Sequence, residues 1–245
     1  MPLSDLSNLV VVLVRPRNPL NIGAAARAMS NFGSCNLRVV NPYKLAFREA
    51  RSAVGGSGVL KNAEEFDSVA DAVADCILVV GTTAVRDRKL DHPAKKLNAA
   101  SAATIHSNLL QGRVAVLFGS EKIGLTNDDF SHCHWLTTIS THSQNISMNL
   151  GQAVAVCLYE LTRDPAPGLL KENRELPTSE QLEHITKGLL ECLHISGYVK
   201  PGTDEMFEKK ARQLIRRMNL EAYDAKLFLG MVRQIVWKLR QSRKS

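Results

Sequence analysis

The chain has 245 residues, 44% hydrophobic and 22% charged, with a formal net charge of +7. That length suits one large α/β domain or a medium domain with a small appendage, and no apolar run approaches the ~20 residues that would span a bilayer. The start lacks the basic region and apolar stretch of a secretory signal, so a soluble chain in the cytoplasm, with no membrane partner, is the expectation.

Taken in chain order, Leu9-Val-Val-Val-Leu-Val14 is a continuous β-branched run of the kind a strand buried on both faces shows. Similar runs stand at residues 37–40, 76–80 and 114–118, with a weaker one at 135–139. Helical segments are predicted between them over 22–31, 43–54, 68–74 and 101–110, and a long apolar helix over 150–162 closes the series. Strands alternating with helices predict a mostly parallel sheet covered on both faces. The glycine-rich Gly55-Gly-Ser-Gly58 follows a helix rather than a strand and reads as a helix stop and turn. The composition then changes at Asp164-Pro-Ala-Pro-Gly168, which with the charged residues after it predicts an exposed linker over 165–177. Thr178 and Gln181 form a capping box that opens a new helix, and two further helices are predicted at about 205–218 and 220–240. The last carries Ala225, Phe228, Leu229, Val232, Ile235, Val236 and Leu239 on one face. Domains are therefore expected at 1–164 and 178–245, the second small, all-helical and basic.

The five cysteines, Cys35, Cys76, Cys133, Cys157 and Cys192, are widely scattered without a Cys-x-x-Cys pair, so they read as reduced and mostly buried. His132-Cys133-His134 lacks a second ligand pair at usable spacing, and no metal is expected. The positive charge is concentrated late in the chain: residues 176–245 hold 13 Lys and Arg against 8 Asp and Glu. Such a field attracts a polyanion through its phosphates, although a solvated helix face would have the same composition.

Three stretches carry the chemistry. Asn21-Ile-Gly-Ala-Ala-Ala-Arg27 follows the first strand, so that Asn21 is placed to cap the helix and Arg27 lies about two turns in, able to take a phosphate bidentately. The same small residues would also serve close helix packing, with Arg27 on the surface. Phe118-Gly-Ser-Glu-Lys-Ile-Gly-Leu125 offers Gly119 and Gly124, where backbone can approach a ligand, while Glu121 between them would repel a phosphate and suits a cation or a role in fixing the loop. Ser147-Met-Asn-Leu150 precedes the long apolar helix, with Ser147 as a candidate N-cap and Asn149 on the first turn. Thr82 and Thr83, past the strand at 76–80, could bond a ligand or their own backbone. Neither the Gly-x-x-x-x-Gly-Lys-Ser/Thr phosphate loop nor the Gly-x-Gly-x-x-Gly fingerprint of nicotinamide enzymes occurs.

In order and spacing these stretches resemble the SPOUT class of RNA methyltransferases, in its TrmH-like branch, over residues 8–163. The helical extension after a linker, with nothing added before the first strand, is similar to the TrmJ-type enzymes that methylate the ribose of cytidine or uridine at nucleotide 32 of tRNA. The resemblance implies a deep trefoil knot in the C-terminal part of the α/β domain, a homodimer, tRNA rather than DNA as partner, and S-adenosylmethionine as cofactor. It implies cofactor contacts at Thr82, Thr83, Gly119, Ile139, Ile146, Ser147 and Met148, and a catalytic set of Asn21, Arg27, Glu121 and Asn149, with Arg27 serving the other subunit's cofactor. Ser120 stands where relatives carry Arg or Pro, Met148 where they carry Leu, and 141–145 is unlike them. Two other readings remain at this point: the same reaction on another tRNA position or on rRNA, and an RNA-binding assembly factor without catalysis.

Overall fold

The structure, a computed structural model, describes residues 5–52, 58–84, 92–142, 144, 146–163 and 174–242. The strands are β1 (Leu9–Val14), β2 (Asn36–Val40), β3 (Glu64–Phe66), β4 (Cys76–Thr82), β5 (Ala94–Lys96), β6 (Arg113–Phe118) and β7 (Trp135–Thr138). The helices are α1 (Pro19–Asn31), α2 (Lys44–Ser52), α3 (Gly58–Lys61), α4 (Val69–Ala72), α5 (Ala99–Leu109), α6 (Asn127–Ser131), α7 (Leu150–Thr162), α8 (Ser179–Ile195), α9 (Asp204–Arg217) and α10 (Ala222–Ser242). The strands form one sheet in the order β3-β2-β1-β6-β4-β7-β5, and every described pairing is parallel.

Both faces of the sheet are covered, which is why β1 reads as an unbroken apolar run. Leu9, Val11 and Leu13 enter the core beneath α1, α5 and α7, while Val10, Val12 and Val14 enter the opposite core with Phe130 of α6. The edge strands β3 and β5 are three residues each and expose Glu64, Glu65, Lys95 and Lys96, so they have no apolar signature. Most of the proposed linker and part of the Gly55–Gly58 turn lie outside the described residues. The cysteines are free, with Cys76, Cys133 and Cys157 buried.

Helices α8 to α10 build their own small core from Leu182, Ile185, Ile215 and Ala225. The face expected on α10 is only partly buried: Ala225, Val232 and Val236 are inside, but Ile235 is 51% exposed because α8 covers too narrow a stripe of a 21-residue helix. Helix α9 is latched to the α/β domain. Arg212 donates to Ser131 Oγ (3.0 Å) and Arg216 Nε to the His132 carbonyl (2.9 Å), while Glu183 of α8 accepts from Arg212 Nε and Nη2 at 2.9 Å each. Two of the basic residues that gave the C-terminal region its charge are therefore buried inside the protein rather than displayed on its surface.

The latch sets a pH response. Burial, reinforced by the Arg212 and Arg216 charges, pushes His132 down to about 3, and burial with the Arg216 charge does the same to His134. Both histidines are neutral when folded, whereas the unfolded chain binds protons near pH 6.5, so stability is complete above that value and falls as the pH drops towards 3. The urea midpoint should fall between pH 7 and pH 5 by the equivalent of about 2 kcal/mol per histidine, and a midpoint constant over that range would refute this. The exposed His194–Asp204 pair acts in the opposite direction, but solvent screens it.

Candidate active site

In a parallel sheet the carboxyl ends of the strands share one edge, where α/β proteins build their sites. The segments after β4, β6 and β7 meet there around a cavity of about 320 Å³, with the segment after β1 beside it. Thr82, Thr83, Gly119, Ile139, Ile146, Ser147 and Met148 all line it. Glu121 is at its mouth, whereas Asn21, Asn149 and Arg27 are not part of the lining. Phe118, Leu125, Phe130, Thr137, Leu150 and Ala153 also line the cavity. Phe118, Leu125 and Leu150 belong to stretches already singled out, whereas Phe130, Thr137 and Ala153 are strand and helix residues indistinguishable in sequence from core.

The loop after β6 is shaped by two glycines. Gly124 has φ of +68°, and the Gly124 N–H donates to the Ser120 carbonyl at 2.8 Å, folding the loop back on itself. A Cβ on Gly119 would lie 2.0 Å from the Gly124 carbonyl carbon and 2.2 Å from the Leu125 nitrogen, so no side chain fits. Thr82 turns its hydroxyl inward to the Leu117 carbonyl (2.8 Å). Thr137 is 1% exposed, and its buried hydroxyl has no hydrogen-bond partner among the described residues, an orphaned polar atom in the wall of the cavity.

Beside the cavity a hydrogen-bond chain joins the three motifs. Asn149 Nδ2 donates to Asn21 Oδ1 (2.7 Å), and Asn21 Nδ2 donates to Glu121 Oε1 (3.0 Å). The Glu121 carboxylate also accepts from the backbone N–H groups of Arg17 (3.2 Å) and Asn18 (3.3 Å), so of the two readings of Glu121 the structure favours loop fixation. Below this, Arg15 forms a two-pronged ion pair with the buried Asp129 of α6.

Both expected caps are corrected, by three residues and by two. Asn18, not Asn21, caps α1, because Pro19 at the first helical position sets the start and the Asn18 side chain accepts from Leu20 N (2.9 Å). That releases Asn21 for the chain to Glu121. Asn149, not Ser147, caps α7, accepting from the N–H groups of Gly151 (2.9 Å) and Gln152 (3.4 Å) while its amide reaches Asn21. Arg27 is not brought into this chain. Six residues beyond Asn21 it points about 120° around the helix, exposed and without a partner among the described residues.

An all-parallel sheet with a folded-back loop and cavity at its carboxyl edge is where α/β proteins bind their ligands, and comparison with known proteins gives the class. The model of the SpoU rRNA Methylase family matches residues 8–159, and the chain belongs to this family of RNA methyltransferases. It is 33% identical over 240 residues to the tRNA (cytidine/uridine-2′-O-)-methyltransferase TrmJ of Cronobacter sakazakii (strain ATCC BAA-894), covering 94% of this chain and 96% of that one. The TrmJ of Sodalis glossinidius (strain morsitans) is 33% identical over 236 residues, covering 94% and 92%. Among solved structures, TrmJ from Z. mobilis ZM4 superposes with a TM-score of 0.80 at 32% identity, covering 92% of this chain and 98% of that one.

Proposed function

We propose that this protein transfers a methyl group from S-adenosylmethionine to the ribose 2′-hydroxyl of nucleotide 32 in the anticodon loop of tRNA. The observation that carries the reading is the meeting of three distant motifs at one edge of the sheet: the second and third line one cavity, and the first is tied to both by the hydrogen-bond series Asn149, Asn21, Glu121. The chain fits the cofactor. The cavity offers backbone at Gly119 and at 146–148, apolar walls for a base, and the unpartnered Thr137 hydroxyl for a polar group. When bound, S-adenosylmethionine supplies an electrophilic methyl group on a positively charged sulfur.

The residues divide the remaining work. Glu121, held by three N–H donors from the α1 entry, keeps the cofactor loop and the first motif in register, a positioning role. Arg27 holds the phosphate next to the target ribose and stabilises the alkoxide that develops, since a guanidinium cannot act as the base. The hydroxyl proton leaves to a phosphate oxygen or water. Arg27 serves a cofactor held by a second copy. Its solvent-facing position and the exposed Leu20 (79%) and Tyr159 (56%) on the packed pair α1 and α7 support a homodimer there. The topology, in which the segments after β6 and β7 close over one cavity across β4, supports the trefoil knot. The division at 1–164 and 178–245 is supported by the separate core of α8–α10. The reading is of a cytoplasmic enzyme, and among the described residues no helix is long and apolar enough to cross a membrane.

Two measurements test this. Gly119→Ala is expected to weaken S-adenosylmethionine binding by at least about tenfold, or ~1.4 kcal/mol, in calorimetry, because the added carbon meets backbone that cannot yield. An unchanged affinity would remove the cofactor from this cavity. A tRNA transcript carrying 2′-deoxyribose only at nucleotide 32 should accept no labelled methyl, whereas normal labelling would move the target to another ribose. The family description names rRNA, so rRNA fragments form the comparison substrate.

A further inference from the structure

At the opposite end of the sheet from the cofactor cavity, a cleft of about 730 Å³ opens between the amino ends of β4 and β7, the carboxyl half of α5 and the end of α9. It lies on the seam between the α/β domain and the C-terminal helices. Four cations line it, Lys95, Arg174, Arg216 and Arg217, and no Asp or Glu does among its described lining residues. The counter-charges stand behind the wall: Glu221 lies 3.5 Å from Arg174, and Glu183 lies 3.8 Å from Arg216 Nη1 while already hydrogen-bonded to Arg212. Lys95 sits with its Nζ 4.6 Å above the Trp135 ring, which orients the ammonium without neutralising it.

One buried donor is unsatisfied. Arg216 is 3% exposed, and its buried Nη1 has no hydrogen-bond partner among the described residues. The His134 Nδ1 accepts from the Val79 N–H (3.1 Å), so the neutral ring carries its hydrogen on Nε2, a further donor in a half-buried residue that lines the cleft. Leaving a buried charged donor such as Arg216 Nη1 without a partner is costly. Several donors and one-signed charge converging on a cleft with apolar walls match a tetrahedral oxyanion, which Arg binds bidentately.

We infer that this cleft is a second ligand site, which takes a phosphate group at the domain seam. The phosphate is shared chemistry of a free nucleotide and of an RNA backbone. The backbone source rests on the tRNA reading above, and the nucleotide source does not.

The test uses the full chain with the cofactor cavity saturated by S-adenosylhomocysteine. Inorganic phosphate and cytidine 5′-monophosphate are titrated by calorimetry, and tRNA affinity is measured across a salt series, for the native chain and for the double variant Lys95→Ala with Arg217→Ala. Both residues are exposed and stand outside the catalytic machinery, so folding and cofactor affinity should be unchanged. The expected result is a loss of small-anion affinity of at least tenfold, or a fall of about 2 in the slope of log affinity against log salt, or both. Loss of small-anion binding alone assigns a free nucleotide, and a reduced slope alone assigns the RNA backbone. If the native chain binds phosphate but no tRNA, the substrate reading fails and the site stands. No small-anion binding by the native chain, together with the same salt slope in both proteins, would overturn the site.

Discussion

Replacing Arg27 by Ala is expected to cut methyl transfer by about 10²–10³-fold while leaving S-adenosylmethionine affinity unchanged. The expectation follows from where Arg27 is. It is exposed on α1, lacks a described partner, and lines no part of the cofactor cavity, so its removal disturbs neither packing nor cofactor contacts. What it removes is a planar, permanently charged fork for a phosphate and a developing alkoxide. Lys should restore little, since a point charge cannot make the paired hydrogen bonds. If Arg27 works on the cofactor of a second copy, mixing Arg27→Ala with Gly119→Ala protein should regain activity that neither shows alone. Cofactor binding and turnover lost together in Arg27→Ala would reject this division of roles.

The second large effect is expected at Glu183. Substitution by Ala should destabilise the protein by about 3–5 kcal/mol, because it leaves Arg216 buried without its counter-charge and Arg212 with Glu208 alone. The side chains of Arg212 and Arg216 are 6% and 1% exposed, and Glu183 is the acidic group they share, Arg212 pairing with Glu208 as well. Burial would raise the Glu183 pKa, yet the hydrogen bonds from Arg212 and the charges of both arginines hold it below its ordinary value, so it is ionised at neutral pH. The loss should reach the active site. Arg212 and Arg216 grip Ser131 and His132 at the end of α6, and Asp129 of the same helix anchors Arg15 at the entry to the first motif. Urea unfolding and turnover should therefore decline together in Glu183→Ala. A stability change below about 1 kcal/mol would show that the latch is not what holds α9 in place.

The parts legible in the sequence are those where one physical pattern dominates. β1, β4 and β6 were legible because burial on both faces demands an unbroken apolar run. The capping box at Thr178 and Gln181 was legible because both side chains bond the backbone they face. β3 and β5 were not, since a three-residue edge strand is held by backbone pairing and leaves Glu65 and Lys95 in solvent. The caps at Asn18 and Asn149 were missed because another polar residue stood two or three positions away, although Pro19 was an available signal for the first. The residues expected around a cofactor came from the family resemblance, and all seven stand along one cavity. Spacing could not have revealed Phe130 or Thr137, whose apolar or strand setting looks like core. Arg212 and Arg216 looked like surface charge; their i, i+4 spacing beside the buried Ala211 and Ile215 was the cue that they face inward.

The measurement that tests the central claim most directly is incubation of the purified protein with methyl-labelled S-adenosylmethionine and unmodified tRNA transcripts, followed by nuclease digestion and mass spectrometry of the fragments. The account predicts a single 2′-O-methyl group on the ribose of nucleotide 32. A methyl group on a base, or no transfer to tRNA by a protein that binds the cofactor, would contradict it.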